Sequence, residues 1–371
     1  MTFVLKVSGP ADILAMVPEL VGFTPRNSVV LIAFRGKRTC GALRFDLPAL
    51  ESRTTHKRVA SFVVGMVCKL PDIDAIIPVI CTDDEFAGGT AIPRREFAEL
   101  LGRRIELSGF ELRDSLCYAA DGWASYLDSA VAEGGHPLSE IAESSAAAAI
   151  PERLKRSSVG EIEQGRVPDA APATVKRVQK QLANFRRIYE RMMREDPNHD
   201  RPDPAEFEPL SDIPLFVEEA LTWDDGAIAA NGALLLFALQ GPPLRDHVML
   251  QWATSLAVGD RMWRDFEQEG SSDPAADAEL GDLMLGIGPR PDPARIERGI
   301  ELLLTLVSRV SGVDRLAPLC MLGWLNWALG RGTLAGRHIE EARAIQPDYG
   351  MAVVLDTMFS NGLMPEWAFR P

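Results

Sequence analysis

Val29-Val30-Leu31-Ile32-Ala33-Phe34 is an unbroken apolar run, closed by the turn residues Arg35-Gly36-Lys37. A run this short and this apolar fits a strand buried on both faces. Gly41 to Leu47 returns along it, which predicts a β-hairpin. Downstream, Val59, Phe62, Val63, Met66, Val67 and Leu70 recur at helical spacing, and Ile76 to Cys81 is a second buried strand. Pro93 stands where the next helix would start, with Phe97, Leu100, Leu101 and Ile105 on one face, and Ser115 to Ala120 reads as the closing strand. Short strands alternating with amphipathic helices predict an α/β domain over residues 1–135, a mixed sheet with covering helices. The two strands that follow helices are expected to run parallel, as such crossovers require.

From Ala130 onward the strand signal ends and Ala, Glu, Leu and Arg dominate. Residues 136–172 are expected to form a linker and a short helix, and residues 173–371 an all-α domain. A chain of 371 residues exceeds one ordinary core, so two domains are the expectation. Ser157 to Ala173 and Gln268 to Ala294, rich in Gly and Pro, read as connections. Between them Val175, Val178, Leu182, Phe185, Tyr189 and Met192 form a seam with alternating spacings of three and four. Such a seam needs a partner helix, which a second copy of the chain could supply. The other faces carry Lys176, Arg177, Lys180, Arg186, Arg187, Arg191 and Arg194, and Asp200 to Glu219 downstream is acidic. Either that segment and counterions neutralise the basic face, or it docks an acidic partner.

The composition, 46% apolar and 25% charged, excludes wholesale disorder. A net charge of −14 repels phosphate backbones at long range, so nucleic acid is not an expected partner. Apolar runs such as Ala233 to Leu239 are far shorter than the roughly 18 residues of a membrane span. Lys6, Pro10 and Asp12 interrupt the N-terminal apolar stretch, and no cleavage site follows it. Cys40, Cys68, Cys81, Cys117 and Cys320 show no metal spacing and read as buried small apolar residues of a reducing compartment. A cytoplasmic location is expected.

Near the C-terminus, Leu322, Gly323, Gly330, Ala335, Ile339, Ala342 and Pro347 fall at the spacing of a tetratricopeptide unit, which residues 316–362 resemble. Gly323 and Ala335 are small where two antiparallel helices would cross, and Tyr349 to Phe359 would cover the pair. The segment is either a packed helix pair or a protein-binding surface. Ligands of open α/β sheets lie beyond the carboxyl ends of the strands, where Asp83-Asp84 and Asp121 fall. There Asp83 and Asp121 could hold a hard cation or act as acid and base, or serve as an N-cap and a turn residue. No phosphate loop, dinucleotide fingerprint, zinc-protease motif or nucleophile elbow occurs, so no catalytic residue, metal site or cofactor is assigned. His56, His136, His199, His247 and His338 stand singly and read as surface or loop residues.

The stretch Val17-Pro18-Glu19-Leu20-Val21-Gly22-Phe23-Thr24-Pro25-Arg26-Asn27-Ser28-Val29-Val30 resembles the opening motif of an actinobacterial family catalogued as domain of unknown function 4192. Arg44-Phe45-Asp46-Leu47-Pro48, Trp123-Ala124-Ser125-Tyr126, Pro347-Asp348-Tyr349 and Gly362 extend the resemblance over nearly the whole chain. The family implies no activity. Many members carry a cysteine-rich stretch after the Trp-x-Ser-Tyr motif, whereas residues 127–137 contain no cysteine. Physically, Pro18 can end a first helix, Gly22 permits a turn and Phe23 fills the core. Arg26, Asn27, Arg44 and Asp46 are the polar members of the matched segments. Arg44 and Asp46 share a strand face, as a ligand site or as an internal ion pair. The functional expectation is a non-enzymatic or regulatory module whose helical C-terminal part contacts another protein. The alternative is an enzyme that binds a small ligand or divalent cation at the strand-end edge, and a third reading is nucleic-acid binding through the basic helix around Arg186.

Overall fold

The computed structural model describes residues 8–21, 24–48, 52–87, 89–150, 166–194, 205–267 and 274–369. Gly22, Phe23, His199 and most of the Ser157 to Ala173 stretch lie outside them. The chain divides into two compact units, Met1–Gln164 and Gly165–Pro371.

The first unit is built on a mixed sheet. The apolar run forms β1 (Ser28–Arg35), paired antiparallel with β2 (Arg38–Asp46) through the expected turn and, on its other side, with β3 (Ala75–Cys81). β3 pairs in parallel with β4 (Glu111–Leu112) and β5 (Leu116–Tyr118). The closing strand is not β5 but β6 (Trp123–Ser125), antiparallel to it, which gives the order β2-β1-β3-β5-β6. Pro78 sits in the centre of β3 at no cost to the ladder. The neighbouring strand is interrupted there, because β4 ends opposite Ile76 and β5 begins opposite Val79.

Alternation along β1 separates two cores. Val29 and Leu31 face α2 (Arg53–Val67) and α3 (Arg95–Leu107), where Val63, Val64, Phe97 and Leu101 are buried. Val30 and Ile32 face α1 (Pro10–Val21) through Leu14 and Val17. Pro18 does not end α1. Leu20 and Val21 beyond it pack against the same cluster, and that burial keeps the turn after the proline helical. The short helices α4 (Ser139–Ala142) and α5 (Ser145–Ala149) pack on α1. Asp12 is buried between α1 and α5 and accepts hydrogen bonds from Ser8 N and Oγ, Ser145 Oγ and Ala146 N at 2.5–2.9 Å. Burial alone would raise the Asp12 carboxyl, but these bonds hold it well below the usual carboxylate range.

The second unit is helical: α6 (Pro172–Arg194), a 3-10 turn (Ala205–Ser211), α7 (Ile213–Ala220), α8 (Asp225–Ala238), α9 (Pro242–Ala253) and α10 (Leu256–Glu267). Then follow α11 (Pro274–Met284), α12 (Pro293–Ser308), α13 (Leu316–Ala328), α14 (Gly332–Ile345) and α15 (Gly350–Ser360). α11 falls inside the stretch read as a connection, and Leu283 anchors it in the core. Asp212, Asp224 and Asp292 cap α7, α8 and α12 with their side chains. Every residue of α13 is buried, and α13 meets α14 at Gly323, where a Cβ would stand 2.6 Å from Ile339 Cδ1. Among the described residues, no helix is long and apolar enough to cross a membrane.

Candidate functional site

One end of the sheet brings most of the nominated residues together. The pairing aligns Asp46, Ser28, Cys81, Tyr118 and Trp123 in a row across β2, β1, β3, β5 and β6. Directly paired residues share a face, so this row lies on the α1 side. Arg26 and Asn27 precede β1 at this end, Asp83 and Asp84 follow β3, and Asp121 lies between β5 and β6.

Asn27 and Asp83 bond reciprocally. Asn27 Nδ2 donates to Asp83 Oδ2 at 2.6 Å, and Asp83 N donates to Asn27 Oδ1 at 3.1 Å. Asn27 adopts the left-handed region, φ 41°, which Asn tolerates, and its carbonyl accepts from Leu47 N at 2.8 Å. The exposed Arg26 reaches Asp83 only at 4.0 Å. Asp84 takes the buried guanidinium of Arg94 at 2.5 Å, and Arg94 also donates to Pro48 O. Asp121 accepts Phe86 N at 2.9 Å and Ala87 N at 3.2 Å, which closes the loop after β3. The two carboxylates nominated as a pair, Asp83 and Asp121, are therefore each held by different groups. Among the described residues, no cluster of three His, Cys, Asp or Glu side chains could hold a metal ion.

Arg44 and Asp46 form an ion pair at 2.7 Å, with the Arg44 side chain 9% exposed and that of Asp46 80% exposed. Arg44 Nε also donates to the buried Ser28 Oγ at 2.8 Å, and Ser28 Oγ donates to Arg26 O at 2.5 Å. Beside them, burial, and secondarily Cys117, push the Cys81 thiol up to about 12 against the pull of Arg44. Burial likewise raises Cys117 to about 12 and raises the Tyr118 hydroxyl, which Arg26 draws back down. Neither thiol has the thiolate character a nucleophile needs.

Two residues of the Trp-x-Ser-Tyr segment are tied into the fold. Ser125 Oγ donates to Asp114 Oδ1 at 2.6 Å, and Tyr126 OH donates to Pro93 O at 2.6 Å. Trp123 stacks on His136 with centroids 4.3 Å apart, and its buried Nε1 has no acceptor among the described residues.

Sequence reading missed several buried polar groups. Arg94 follows Pro93 at a helix start, and Asp12 stands alone on an apolar helix; that isolation was the available signal. In the helical unit Arg295 grips Glu218 with two bonds of 2.6 and 2.7 Å, and Gln251 links Glu218 to His247. No local spacing reveals this set, because its members lie on α7, α9 and α12. His56, His247 and His338 are buried, which corrects their reading as surface or loop residues: each lies on the inward face of an amphipathic or core helix. Cys40 and Cys68 are exposed, since they fall on the outer end of β2 and just after α2, while Cys81, Cys117 and Cys320 are buried as expected.

On α6 the seam packs through Phe185 and Tyr189 against Phe207 and Phe237, but only Val178 and Leu182 are fully buried. Tyr189, Met192 and Met193 emerge at the C-terminal end, Met193 with 69% of its surface exposed. Arg186 pairs with Asp314; among the described residues it is the one α6 cation in an ion pair with another element.

No curated protein and no solved structure matches the chain. The family model described as Domain of unknown function (DUF4192) matches residues 10–280 and 276–366, and the chain belongs to that family.

Proposed function

We propose that this protein is a non-enzymatic, regulatory interaction module of the cytoplasm whose helical part contacts another protein through α6. The observation that carries this reading is the course of the α6 seam. A helix serving its own core buries its whole apolar stripe. Here, among the described residues, Tyr189 keeps only an edge contact with Phe237, and Met192 and Met193 stand exposed at one end. The tetratricopeptide-like pair α13–α14 contributes to the helical core rather than to the contact surface. With α13 buried throughout, its first helix lines no open groove. Neutral, unbridged thiols at Cys81, Cys117 and Cys320 suit a reducing compartment.

The experiment compares the full-length protein with Tyr189→Glu/Met193→Glu, each tagged and recovered from its own host. The expected result is a stoichiometric partner, or a second copy of the chain, held by the wild type and lost by the variant. The variant should stay folded and melt cooperatively, with a melting temperature lowered no further than loss of the Tyr189 edge contact with Phe237 accounts for. An identical set of bound proteins on both rejects the reading. A second reading, a small ligand at the strand-end edge, draws on the buried Trp123 Nε1, which lacks an acceptor among the described residues. A wild-type melting shift on adding a carboxylate or polyol, abolished in Trp123→Phe, would favour it.

A further inference from the structure

The outer face of α6 holds a feature that the apolar seam does not explain. Lys176, Lys180, Arg187, Arg191 and Arg194 follow one another at intervals of four, seven, four and three residues. At 100° per residue these positions fall within a sector of about 60°, and they span about 27 Å of helix axis. Val178 and Leu182, the buried residues, lie on roughly the opposite side. All five cations are exposed. Arg194 has an intrahelical contact with Glu190 at 3.8 Å and Arg187 donates to Asn184, whereas Lys176, Lys180 and Arg191 make no ion pair among the described residues. The described carboxylates of the acidic segment, Glu206, Glu208 and Asp212, do not pair with the stripe either. At its C-terminal end the side chains of Arg187, Arg191 and Arg194, together with Glu190, line a shallow hollow.

Resting on the interaction reading above, we propose that this stripe receives an acidic helical segment of the partner protein. Complementarity of charge and of spacing supports it. Carboxylates at i and i+4 on a helix repeat at about 6 Å, the axial distance from Lys176 to Lys180 and from Arg187 to Arg191. The rest of the molecule disfavours nucleic acid on the same surface. A phosphate backbone running past the stripe enters the field of a chain with net charge −14, whereas a short acidic helix meets the stripe within a Debye length of about 8–10 Å. The residues between the cations along this face, such as Ala183 and Asn184, offer no aromatic ring for base stacking.

The test uses the full-length protein and a labelled 24-residue helical peptide with Glu at successive i, i+4 positions. Its Glu→Gln counterpart, a 20-nucleotide RNA and a 20-base-pair DNA duplex serve as further probes. Wild type should bind the Glu peptide, weakening as salt rises, and should bind the Gln peptide and the nucleic acids at least tenfold less tightly. Lys180→Glu/Arg187→Glu/Arg191→Glu should lose at least tenfold in peptide affinity. Lys57→Glu/Arg58→Glu, which reverses two exposed cations of α2, should lose none. Peptide affinity unchanged in the triple variant overturns the proposal, and so does tighter binding of RNA or DNA through the stripe. If the native partner is lost from Tyr189→Glu/Met193→Glu yet kept by the triple variant, the stripe assignment falls and the module stands. A partner kept by both variants removes both.

Discussion

His338 is 1% exposed on the inner face of α14, and neither ring nitrogen has a hydrogen-bond partner among the described residues. Burial, then the nearby Arg337 and Arg315 guanidinium groups, hold its imidazole down at about 4. Because that value lies below the unfolded one of about 6.5, the folded state binds fewer protons than the unfolded chain. The stability this difference supplies is complete above about pH 6.5, and it is lost as pH falls from there through about 4. Its full size is about 3 kcal/mol. Urea melts at pH 7 and pH 4.5 should therefore show wild type losing about 2 kcal/mol more than His338→Leu between the two conditions. Equal losses would mean that His338 is already protonated, or solvated, in the folded protein. His247 differs: its ring bonds to Gln251 at 3.1 Å, which opposes the larger lowering by burial. Asp12 has the opposite chemistry. Its carboxylate is buried because four donors converge on it, so charge is retained where His338 must give it up.

At the scale of elements, the crossing of α13 and α14 is fixed by what is missing from it. Gly323 lets Ile339 approach to 2.6 Å of where a Cβ would stand, and Ala335, whose carbonyl lies 3.4 Å from the same point, is fully buried. Ala335→Leu should force the helices apart and destabilise the unit by about 1–3 kcal/mol, as overpacking does. Glu340→Ala, on the exposed side, should change stability by roughly 0.5 kcal/mol or less. Denaturant melts of both variants decide the matter, and a harmless Ala335→Leu rejects the close crossing. This crossing was legible in sequence because small residues at fixed spacing have few other uses. The hairpin of β1 and β2 was legible because burial on both faces leaves an unbroken apolar run. β6 was not: its three residues pair with β5 and, at Trp123, with the lone bridge residue His136, and a strand that short carries no period. α11 was hidden by the Gly- and Pro-rich residues flanking it. The candidate edge was legible as a place, since strand ends follow from strand order. Its internal bonding was not, because Asn27 finds Asp83 across 56 residues of chain.

At the scale of the whole molecule, the apolar clusters determine what can fold by itself. The two clusters of the sheet draw their residues from positions 11–141, and the helical cluster draws its residues from positions 167–367. Among the described residues no apolar side chain is shared between these sets, and the chain divides after Gln164. A unit that closes its own core should fold when expressed alone. Each unit also exceeds the length, roughly 40 residues, below which cores need staples. We expect residues 1–164 and 165–371, made separately, each to unfold cooperatively in urea. The sheet unit should keep its α1–α5 clasp, so Asp12→Ala should destabilise the fragment as much as it destabilises the full chain, by about 1–3 kcal/mol for the buried donors left unsatisfied. His338→Leu should alter the acid sensitivity of the helical fragment alone and leave that of residues 1–164 untouched. Circular dichroism melts of the two fragments and the full chain test all of this. A fragment that melts without cooperativity, or an Asp12→Ala effect seen only in the full chain, would show that the two units complete one another's cores.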